Sequence, residues 1–482
     1  MTKTQLTACG LRIMLLLFSV FALTQSSSTL AQTPSDENIF GVVEGFWLAE
    51  DVCELGAGWE RIIFDWAQHQ PSGPQDWNTL NVDERWLTAA TECNREVIAI
   101  VKNTPAWATD GLAGPGLPRG LDLPIDDPNN LWANFMRRAA EYYQPHGVTR
   151  FIIWNEPDIE AGTYGYEFEG SVEDYALLLK VASLALREGN PNAQVHLAGT
   201  TFWHDFNEGR RLYLDRLLEV INNDPDAEAN GYYFDAITLH IYFRVETVFT
   251  IVREMQNVLN QYGLEDKAIW IVETNASPNL DPLWLVERPQ FQITLEQQAN
   301  YLVQAAALSL AAGADAMGVY KFYDWSLPAG QESWGLVRED QTRRPAFDAW
   351  HMVIEQFNGV REAEFYQSRD VDAVRLVRED GQDVIVLWAR TANTSTVELY
   401  PSQPSVQLLD VYGNMMEVTA VNNSLSLVLP PATCHEADGC PVGGFVSVLI
   451  YPHNDDFRID NHTIEGVVQL ERIEEMSESD AS

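Results

Sequence analysis

Residues 150–157 read Arg-Phe-Ile-Ile-Trp-Asn-Glu-Pro, a short apolar run that stops at a carboxylate. The run from Arg150 to Trp154 has the length and composition of a strand that is covered on both faces, as in a parallel sheet. Pro157 cannot donate to a strand ladder, so the strand ends before it. Glu156 therefore lies where a strand gives way to a loop, and the fold follows from how often this pattern recurs.

Short apolar strands alternate with amphipathic helices between residues 38 and 356. Continuous apolar runs mark the strands, and helical spacing marks the helices. The strand candidates are Phe40–Glu44, Arg61–Phe64, Glu96–Val101, Arg150–Trp154, Gln194–Ala198, Ala236–His240, Ala268–Val272 and Ala316–Phe322. The clearest helices are predicted at Asn130–Tyr143, Ser171–Glu188, Thr247–Tyr262 and Leu295–Ala312.

The number of these units favours a closed parallel barrel over an open sheet. An open doubly wound sheet usually carries a glycine-rich phosphate loop after its first strand. The residues from Phe40 to Trp47 contain no such GxGxxG pattern. We predict an α/β protein with a (β/α)8 TIM barrel over residues 38–356.

Shorter strands separated by turn residues replace this alternation after about Phe357. The candidates are Val371–Arg378, Asp383–Ala389, Thr396–Leu399, Val406–Val411, Met415–Thr419, Leu425–Leu429 and Phe445–Ile450. Turn sequences such as Glu379-Asp380-Gly381 and Tyr412-Gly413-Asn414 lie between them. The pattern predicts a small antiparallel β-sandwich domain over residues 357–452. The polar, acid-rich residues 453–482 predict a flexible tail.

A second apolar run, from Ile269 to Val272, also ends in a carboxylate, Glu273. Catalytic residues of a barrel lie at the C-terminal ends of its strands, and strands 4 and 7 stand nearly across its mouth. Glycoside hydrolysis requires two such carboxylates, one to protonate the leaving oxygen and one to attack or to activate water. The alternative for Glu156 alone is a solvated glutamate at a strand end that Pro157 closes.

Trp154-Asn155-Glu156-Pro157 at the end of strand 4, with Glu273 at the end of strand 7, resembles the signature of the clan A glycoside hydrolases. The resemblance covers residues 38–355 and implies a (β/α)8 barrel and a retaining mechanism. Within the clan, the chain most resembles the family of β-xylosidases and α-L-iduronidases, with its relatives that cut bacterial exopolysaccharides. That finer similarity lies in residues 61–66, 70–71 and 76–77 and in Thr104-Pro105-Ala106-Trp107.

The resemblance implies a role for each residue near the two glutamates. Glu156 would be the general acid/base and Glu273 the nucleophile of a double displacement. Asn155 would bind the hydroxyl next to the anomeric carbon. Tyr242, in His240-Ile241-Tyr242 at the end of strand 6, would donate a hydrogen bond to the nucleophile, and Arg61 would hold the nucleophile ionised. The alternatives are a core histidine at position 240 and a surface arginine at position 61.

Aromatic residues beyond the strand ends are candidates for the walls of sugar subsites. Trp325 would form the floor under the sugar, with Tyr323 or Trp334 as alternatives. Trp107 and Trp47 would line further subsites. The simpler interpretation is packing, because the chain contains 15 Trp and large aromatic side chains dominate protein cores.

Two further features of the strand ends bear on the substrate. Glu44, after strand 1, is a third carboxylate that could face the barrel mouth. Residues 274–278, Thr-Asn-Ala-Ser-Pro, depart from the commoner clan sequences after strand 7. These departures do not affect the two carboxylates that glycoside hydrolysis requires, but they leave the identity of the substrate undetermined.

The N-terminus predicts export. Lys3 and Arg12 precede the apolar run Ile13–Leu23, and Thr29-Leu30-Ala31 is an acceptable signal-peptidase site. The apolar run is too short to span a bilayer comfortably, so a cleaved signal peptide over residues 1–31 is favoured over an anchor. We therefore expect a secreted protein, periplasmic or extracellular.

Four cysteines follow the predicted signal peptide, and an even number suits an oxidising compartment. Cys434 and Cys440 bracket a short polar loop and are the better candidate for a disulfide. Cys53 and Cys93 are a second candidate. The sequence contains no CxxC pair and no clustered histidine spacing of the kind that binds zinc. No metal or other cofactor is predicted.

The net charge of −40 bears on the partners of the protein. Such a surface repels nucleic acid and anionic lipid, and no segment after the signal is long and apolar enough to cross a membrane. The predicted partner is a carbohydrate.

Two other functions are possible for such a chain. One rival is a barrel that binds carbohydrate without cleaving it. Another is a periplasmic solute-binding protein, which should show a two-lobed α/β pattern without WNEP. The glycan, exo or endo action and the oligomeric state do not follow from the sequence.

Overall fold

The computed structural model describes residues 38–474, apart from residues 243, 288, 290, 291, 329, 434–441, 464 and 465. The predicted signal peptide and the candidate pair Cys434 and Cys440 lie outside the described residues.

Parallel strands close into a barrel, in which each strand pairs with its neighbours in chain order. The strands are β1 Phe40–Val43, β2 Trp59–Asp65, β3 Glu96–Lys102, β4 Arg150–Ile153, β5 Gln194–Leu197, β6 Ala236–His240, β7 Ala268–Glu273 and β8 Ala316–Val319. The barrel closes where β1 pairs with β8, with Gly41 opposite Gly318. The prediction of a TIM barrel is confirmed.

Helices cover the outer wall of the barrel. They are α1 Ala49–Leu55, α2 Trp66–His69, α3 Glu84–Glu92, α4 Leu131–Tyr143, α5 Val172–Gly189, α6 Trp203–Asn207, α7 Tyr213–Asn222, α8 Thr247–Gln261, α9 Leu295–Ala312 and α10 Pro345–Phe357. The two longest, α5 and α9, begin with capping boxes at Ser171 and Thr294, which satisfy the backbone donors of their first turns. Within the part of the chain that the structure describes, no helix is long and apolar enough to cross a membrane.

The barrel interior is packed with side chains. Trp59, at the start of β2, is the largest of them. The others in this cluster are Ile98, Ile100, Ile152, Val272 and Ala316. Glycine is required opposite the Trp59 ring, because a Cβ at Gly41 would lie 2.1 Å from that ring and one at Gly318 would lie 2.3 Å from it. The barrel is thus a core and not a pore, and functional side chains collect at the C-terminal ends of the strands.

Antiparallel strands follow the barrel. They are β9 Val360–Gln367, β10 Val371–Arg378, β11 Gln382–Ala389, β12 Ser395–Leu399, β13 Ser405–Leu409, β14 Met415–Thr419, β15 Leu425–Leu429, β16 Ser447–Pro452, β17 Ile459–Thr463, β18 Gly466–Gln469 and β19 Glu471–Ile473. One sheet has the order β14-β13-β16-β11-β10-β9-β19, and the other has the order β15-β12-β17-β18. The predicted antiparallel domain is therefore present, and it forms two sheets.

The prediction of a flexible tail from residue 453 is wrong for residues 459–473. β17 pairs with β12, and β19 pairs with β9 at the edge of the larger sheet. Ile459 and Leu470 are buried in the core of the sandwich. The polar, acid-rich composition obscured these strands; β18 and β19 lie at sheet edges, where charged side chains are common.

The sandwich is fixed to the barrel through buried amide side chains of α9. The side chain of Gln304 donates to the carbonyl of Gly444 at 2.7 Å and accepts from the backbone N–H of Gly443 at 3.2 Å. The side-chain oxygen of Asn300, one turn earlier, accepts from the N–H of Val446 at 2.7 Å. Backbone groups that would otherwise be buried without partners are satisfied across this contact.

A disulfide joins Cys53 of α1 to Cys93, the residue after α3, with their Cα atoms 5.6 Å apart. This confirms the second of the two predicted pairs. A disulfide between two outer helices of the barrel is typical of proteins from oxidising compartments.

Candidate active site

Glu156 and Glu273 face each other at the C-terminal end of the barrel. Glu273 is the last residue of β7, and Glu156 follows β4 by three residues. A carboxylate oxygen of each, together with a ring nitrogen of His240, all lie within 4.8 Å of one another. The sequence-predicted pair thus lies on one face of the barrel and shares one cleft.

The backbone that carries Glu156 is held in an uncommon conformation. Trp154 has a φ of 74° and Glu156 a φ of 40°, in the left-handed region that costs non-glycine residues on the order of 1–3 kcal/mol. The N–H of Glu156 donates to the carbonyl of Gly199, beyond β5, at 3.0 Å. The buried indole of Trp154 donates to the carbonyl of Glu167 at 2.8 Å. These bonds hold the strand end in place and aim Glu156 into the cleft.

Glu273 is surrounded by donors. Its side chain accepts from the guanidinium of Arg61 on one oxygen and from the hydroxyl of Tyr242 on the other at 2.5 Å. His240 Nδ1 lies 3.6 Å from the second oxygen. Burial, with 8% of the residue exposed, would raise the pKa of Glu273, but Arg61, His240 and Tyr242 outweigh it and lower the pKa to about 2. Glu273 is therefore ionised at any ordinary pH.

His240 connects the two carboxylates. Its Nδ1 lies 2.6 Å from Oε1 of Glu156, and its Nε2 lies 3.3 Å from Nη1 of Arg61. Burial would lower the pKa of His240, but the charges of Glu273 and Glu156 prevail and raise it. Whether neutral and accepting from Arg61 or protonated, the ring carries a hydrogen on Nδ1. His240 therefore donates to Glu156 in either state and leaves Oε2 of Glu156 to carry a transferable proton.

Asn155 is positioned by a carboxylate that the sequence analysis did not select. The Asn155 amide donates to Oε2 of Glu167 at 3.1 Å, and Nζ of Lys102, the last residue of β3, lies 2.5 Å from the same oxygen. Glu167 lies in the loop after β4, so no strand pattern marks it. The Asn155 amide oxygen is thereby turned away from Glu167.

The cluster Glu156, His240 and Glu273 has the ligand spacing of a cation site. Both oxygens of Glu273 already accept from Arg61 and Tyr242, and Arg61 also faces the second nitrogen of His240. A cation here would lie beside a guanidinium and compete with it for the same carboxylate. The donor set therefore suits proton transfer and nucleophilic attack better than metal binding.

The solved structures that resemble this fold include glycoside hydrolases. A family 39 glycoside hydrolase from Bacteroides cellulosilyticus WH2 has a TM-score of 0.64 at 14% identity, covering 86% of this chain and 81% of that chain. A GH30 endoxylanase from Clostridium papyrosolvens C71 has a TM-score of 0.56 at 14% identity, with coverages of 86% and 97%. A monomeric β-xylosidase from Caulobacter crescentus CB15 has a TM-score of 0.54 at 14% identity, with coverages of 87% and 97%.

The fold is that of the clan A glycoside hydrolases. No family model matches the sequence, and no curated protein matches it. At these identities the likeness concerns the glycoside hydrolase fold alone, so the roles of individual residues rest on their geometry.

Tyr242, which donates to Glu273, packs beside the rings of Tyr320 and Trp334. Ring centroids are 5.3 Å apart for Tyr242 and Trp334, and 6.3 Å apart for Tyr242 and Tyr320. Trp334 is one of the predicted alternatives for the sugar floor, whereas Tyr320 was not predicted. β8 ends at Val319, three residues before the predicted end at Phe322, so Tyr320 is the first residue beyond the strand.

Trp325, the first choice for the floor, lies elsewhere. It is 53% exposed and stacks on Trp47, with centroids 4.7 Å and planes 10° apart. The two indoles form an exposed platform beyond β8 and β1. The hydroxyl of Tyr323, the other alternative, donates to the carbonyl of Glu339 at 3.0 Å. A position next to a strand end therefore does not predict which aromatic ring lies near Glu273.

Trp107 is held within the loop after β3. Its indole donates to the carbonyl of Gln70 at 2.6 Å, and its ring meets Trp66 edge-on at 6.2 Å. Of the predicted binding residues, Arg61, His240 and Tyr242 contact Glu156 or Glu273 directly, while Trp107 and Trp325 contact other aromatic side chains.

Proposed function

We propose that the chain is an exported, retaining glycoside hydrolase that cleaves β-configured O-glycosidic bonds in a polysaccharide or oligosaccharide. The observation that carries the proposal is the facing pair Glu156 and Glu273, whose nearest oxygens lie within 4.8 Å. Carboxyl groups of retaining enzymes lie about 5–5.5 Å apart, whereas inverting enzymes leave about 6.5–9.5 Å for a water molecule. The spacing supports a double displacement.

Glu273 is the nucleophile in this proposal. Its pKa of about 2 keeps it anionic, and Arg61 and Tyr242 orient the two oxygens. Attack on the anomeric carbon forms a covalent glycosyl-enzyme. Tyr242 donates to one oxygen of Glu273. This hydrogen bond can weaken when Glu273 loses its charge on forming the ester and strengthen when hydrolysis restores the carboxylate.

Glu156 is the general acid/base. It gives a proton to the leaving glycosidic oxygen in the first step and takes one from water in the second. His240 binds Oε1 of Glu156, which leaves Oε2 for the proton. Esterification removes the charge of Glu273, and Glu156 then acts as the base toward the incoming water.

Export is supported by two independent features. The sequence predicts a cleaved signal peptide over residues 1–31, and Cys53 and Cys93 form a disulfide. We propose a periplasmic or extracellular location.

A substrate survey tests the proposal. The two neighbours named for their activity are an endoxylanase and a β-xylosidase, so 4-nitrophenyl β-xyloside and xylan come first. The survey continues with other 4-nitrophenyl β-glycosides and with polysaccharides read out by product size. A Glu156→Gln/Glu273→Gln double variant serves as the matched control for contaminating activity.

The anomeric configuration of the first product, followed by NMR, decides the stereochemistry. We expect the β-anomer to form first and to mutarotate afterwards. An α-anomer as first product would contradict retention. Sugar binding without turnover in the whole survey would instead support a barrel that binds carbohydrate without cleaving it.

A further inference from the structure

Glu44 and Lys321 form an ion pair that the proposed mechanism does not use. Glu44 directly follows β1, and Lys321 follows the last residue of β8 by two positions. β1 and β8 are neighbours in the barrel, so these side chains meet at the C-terminal end of the strands. Oε2 of Glu44 lies 3.5 Å from Nζ of Lys321.

This ion pair has unused hydrogen-bonding capacity. The side chain of Lys321 is 11% exposed and that of Glu44 is 23% exposed. Among the residues that the structure places, neither side chain takes part in a hydrogen bond of normal geometry. An ammonium carries three donors, and burying a charge without hydrogen-bond partners is unfavourable. The pair can therefore accept and donate further hydrogen bonds when a polar molecule replaces water beside it.

The backbone of Glu44 gives a second, independent indication. Glu44 has φ 59° and ψ 40°, the left-handed region in which glycine is at ease and a glutamate is strained. Trp154 and Glu156, at the catalytic end of β4, lie in the same region. Strained residues of this kind cluster at ligand sites, where the surrounding structure holds them in place. Glycine would suit the backbone of position 44 better, but it would remove the carboxylate.

Tyr320 connects the pair to the catalytic carboxylates. It directly precedes Lys321 and packs beside Tyr242, with ring centroids 6.3 Å apart. Burial raises the pKa of Tyr320, and the negative charges of Glu273 and Glu44 raise it further. Glu44 and Glu273 thus both lie near this tyrosine.

We infer that Glu44 and Lys321 bind two adjacent hydroxyl groups of the sugar that forms the glycosyl-enzyme. This inference rests on the proposed function. β8 and β1 lie across the closed barrel from β4, where Glu156 meets the leaving group. The hydroxyls in reach are therefore those remote from the anomeric carbon. The ammonium donates to one hydroxyl, and the carboxylate accepts from its neighbour.

The charges define the class of sugar. The carboxylate of Glu44 lies beside the ammonium of Lys321 and would repel a sugar carboxylate that approached the ammonium, so uncharged hydroxyl groups are favoured. A sugar linked onward through either hydroxyl could not offer both groups. The pair therefore selects a neutral sugar at the non-reducing end of a chain, with both remote hydroxyls free.

Variants of each partner test the inference. The probes are the 4-nitrophenyl β-glycoside that the wild type cleaves fastest and its 3-deoxy and 4-deoxy analogues. Lys321→Met and Glu44→Gly should each lower kcat/KM about 10- to 100-fold, since each removes a hydrogen bond to a charged group. Most of the change should lie in KM. For the wild type, removing a bound hydroxyl from the substrate should lower kcat/KM by the same factor. The variant that lacks the side chain binding that hydroxyl should lose little further kcat/KM with the same deoxy analogue. Lys180→Met, which removes an ammonium bound to Asp224 outside the barrel, is the control.

Two further measurements separate a binding role from a structural one. Glu44→Gly should change the Tm little, because glycine relieves the strain of a φ of 59° while the loss of the carboxylate leaves Lys321 without its ion-pair partner. Calorimetry with the free monosaccharide should show the same loss of affinity as KM. Normal affinity in both variants, or a lowered Tm in Glu44→Gly with unchanged KM, would overturn the inference and leave the proposed function intact. Wild-type binding without hydrolysis, with binding lost in both variants, would overturn the proposed function and support the binding pair.

Discussion

The ends of β4 and β7 carry the same functional group in different surroundings. Glu273 accepts from Arg61 on one oxygen and from Tyr242 on the other. Glu156, within the described chain, has one side-chain hydrogen-bond partner, His240. The side chain of Glu156 is also the more exposed of the two, at 18% against 10%.

In the proposed mechanism, this difference separates a carboxylate that must stay charged from one that must gain and lose a proton. Fixed donors on both oxygens stabilise the anion and leave no room for a proton. A single donor on Oε1 fixes the orientation of Glu156 and leaves Oε2 exchangeable. The two identical side chains are suited to two different proposed roles because neighbouring strands supply different partners.

Glu273→Ala should have the largest effect. Without a nucleophile, kcat/KM should fall on the order of 10⁴- to 10⁶-fold. Azide should restore turnover by entering from the opposite face, and the product should be the α-glycosyl azide. The exposed Glu254→Ala on α8 is the control. A β-azide from Glu273→Ala would exchange the two roles.

Glu156→Ala should show a smaller loss that depends on the leaving group. Substrates with poor leaving groups should slow about 10²- to 10⁴-fold, the usual contribution of a general acid. Activated phenols need little protonation, so their first step should be nearly unchanged and hydrolysis of the intermediate should become limiting. Azide should then give the β-glycosyl azide, with retained configuration. Equal losses for good and poor leaving groups would contradict the acid role.

Tyr242→Phe should move the pH profile. The pKa of Glu273 is lowered in the folded protein, and removing one of its donors should raise it. Since kcat/KM requires the anion, its acidic limb should shift to higher pH, by about 1–2 units for a lost hydrogen bond to a charge. Tyr262→Phe, whose hydroxyl binds Asp215 on the barrel flank, should leave the limb in place. An unmoved limb in Tyr242→Phe would show that Arg61 and His240 keep Glu273 ionised without Tyr242.

Glu167→Gln should lower activity modestly, through its contact with Asn155 at the end of β4. Glu167 holds Asn155 and is itself held by Lys102, so weakening it should misplace the Asn155 amide. We expect kcat/KM to fall about tenfold or less. Because both residues act through one contact, Glu167→Gln should add little to Asn155→Ala. Fully additive losses would show that Asn155 is positioned without Glu167.

Substitutions in the sandwich should have the smallest effect. Glu362→Gln and Glu417→Gln remove exposed carboxylates from β9 and β14. Neither should change kcat/KM, because both residues lie in the sandwich and the proposed site lies at the mouth of the barrel. Loss of activity in either folded variant would mean that a third, distant carboxylate takes part.

The barrel strands were predictable because they are buried on both faces. Such strands appear as continuous apolar runs, and Ala236–His240 was predicted with both ends correct. The sandwich strands differ, because one face of each is exposed. β9 has the burial pattern of a partly exposed strand and was missed, as were β17, β18 and β19. These strands form because they pair with residues distant in sequence, as Glu471 does with Gln367. Local sequence patterns do not show such pairing.

The site was predictable where chemistry coincides with a strand end. Glu156 and Glu273 each follow the end of an apolar run, and this pattern can be recognised in the sequence alone. Glu167 is not visible in this way, because it reaches Asn155 only through space. Tyr320 was missed because an apolar run does not show where its ladder hydrogen bonds stop. The stacking of Trp325 on Trp47 likewise depends on a loop path that no local pattern specifies.

The amides of α9 make the barrel and the sandwich one cooperative structure and not a catalytic part with a detachable module. Gln304 and Asn300 are buried polar groups whose partners lie in the sandwich. The barrel core is also continuous with sandwich residues such as Phe365 and Trp388. A chain shortened after α10 would leave these amides and this apolar surface uncovered. Evolution could therefore vary the loops at the barrel mouth freely, whereas exchanging the sandwich for another domain would require a new outer wall on α9.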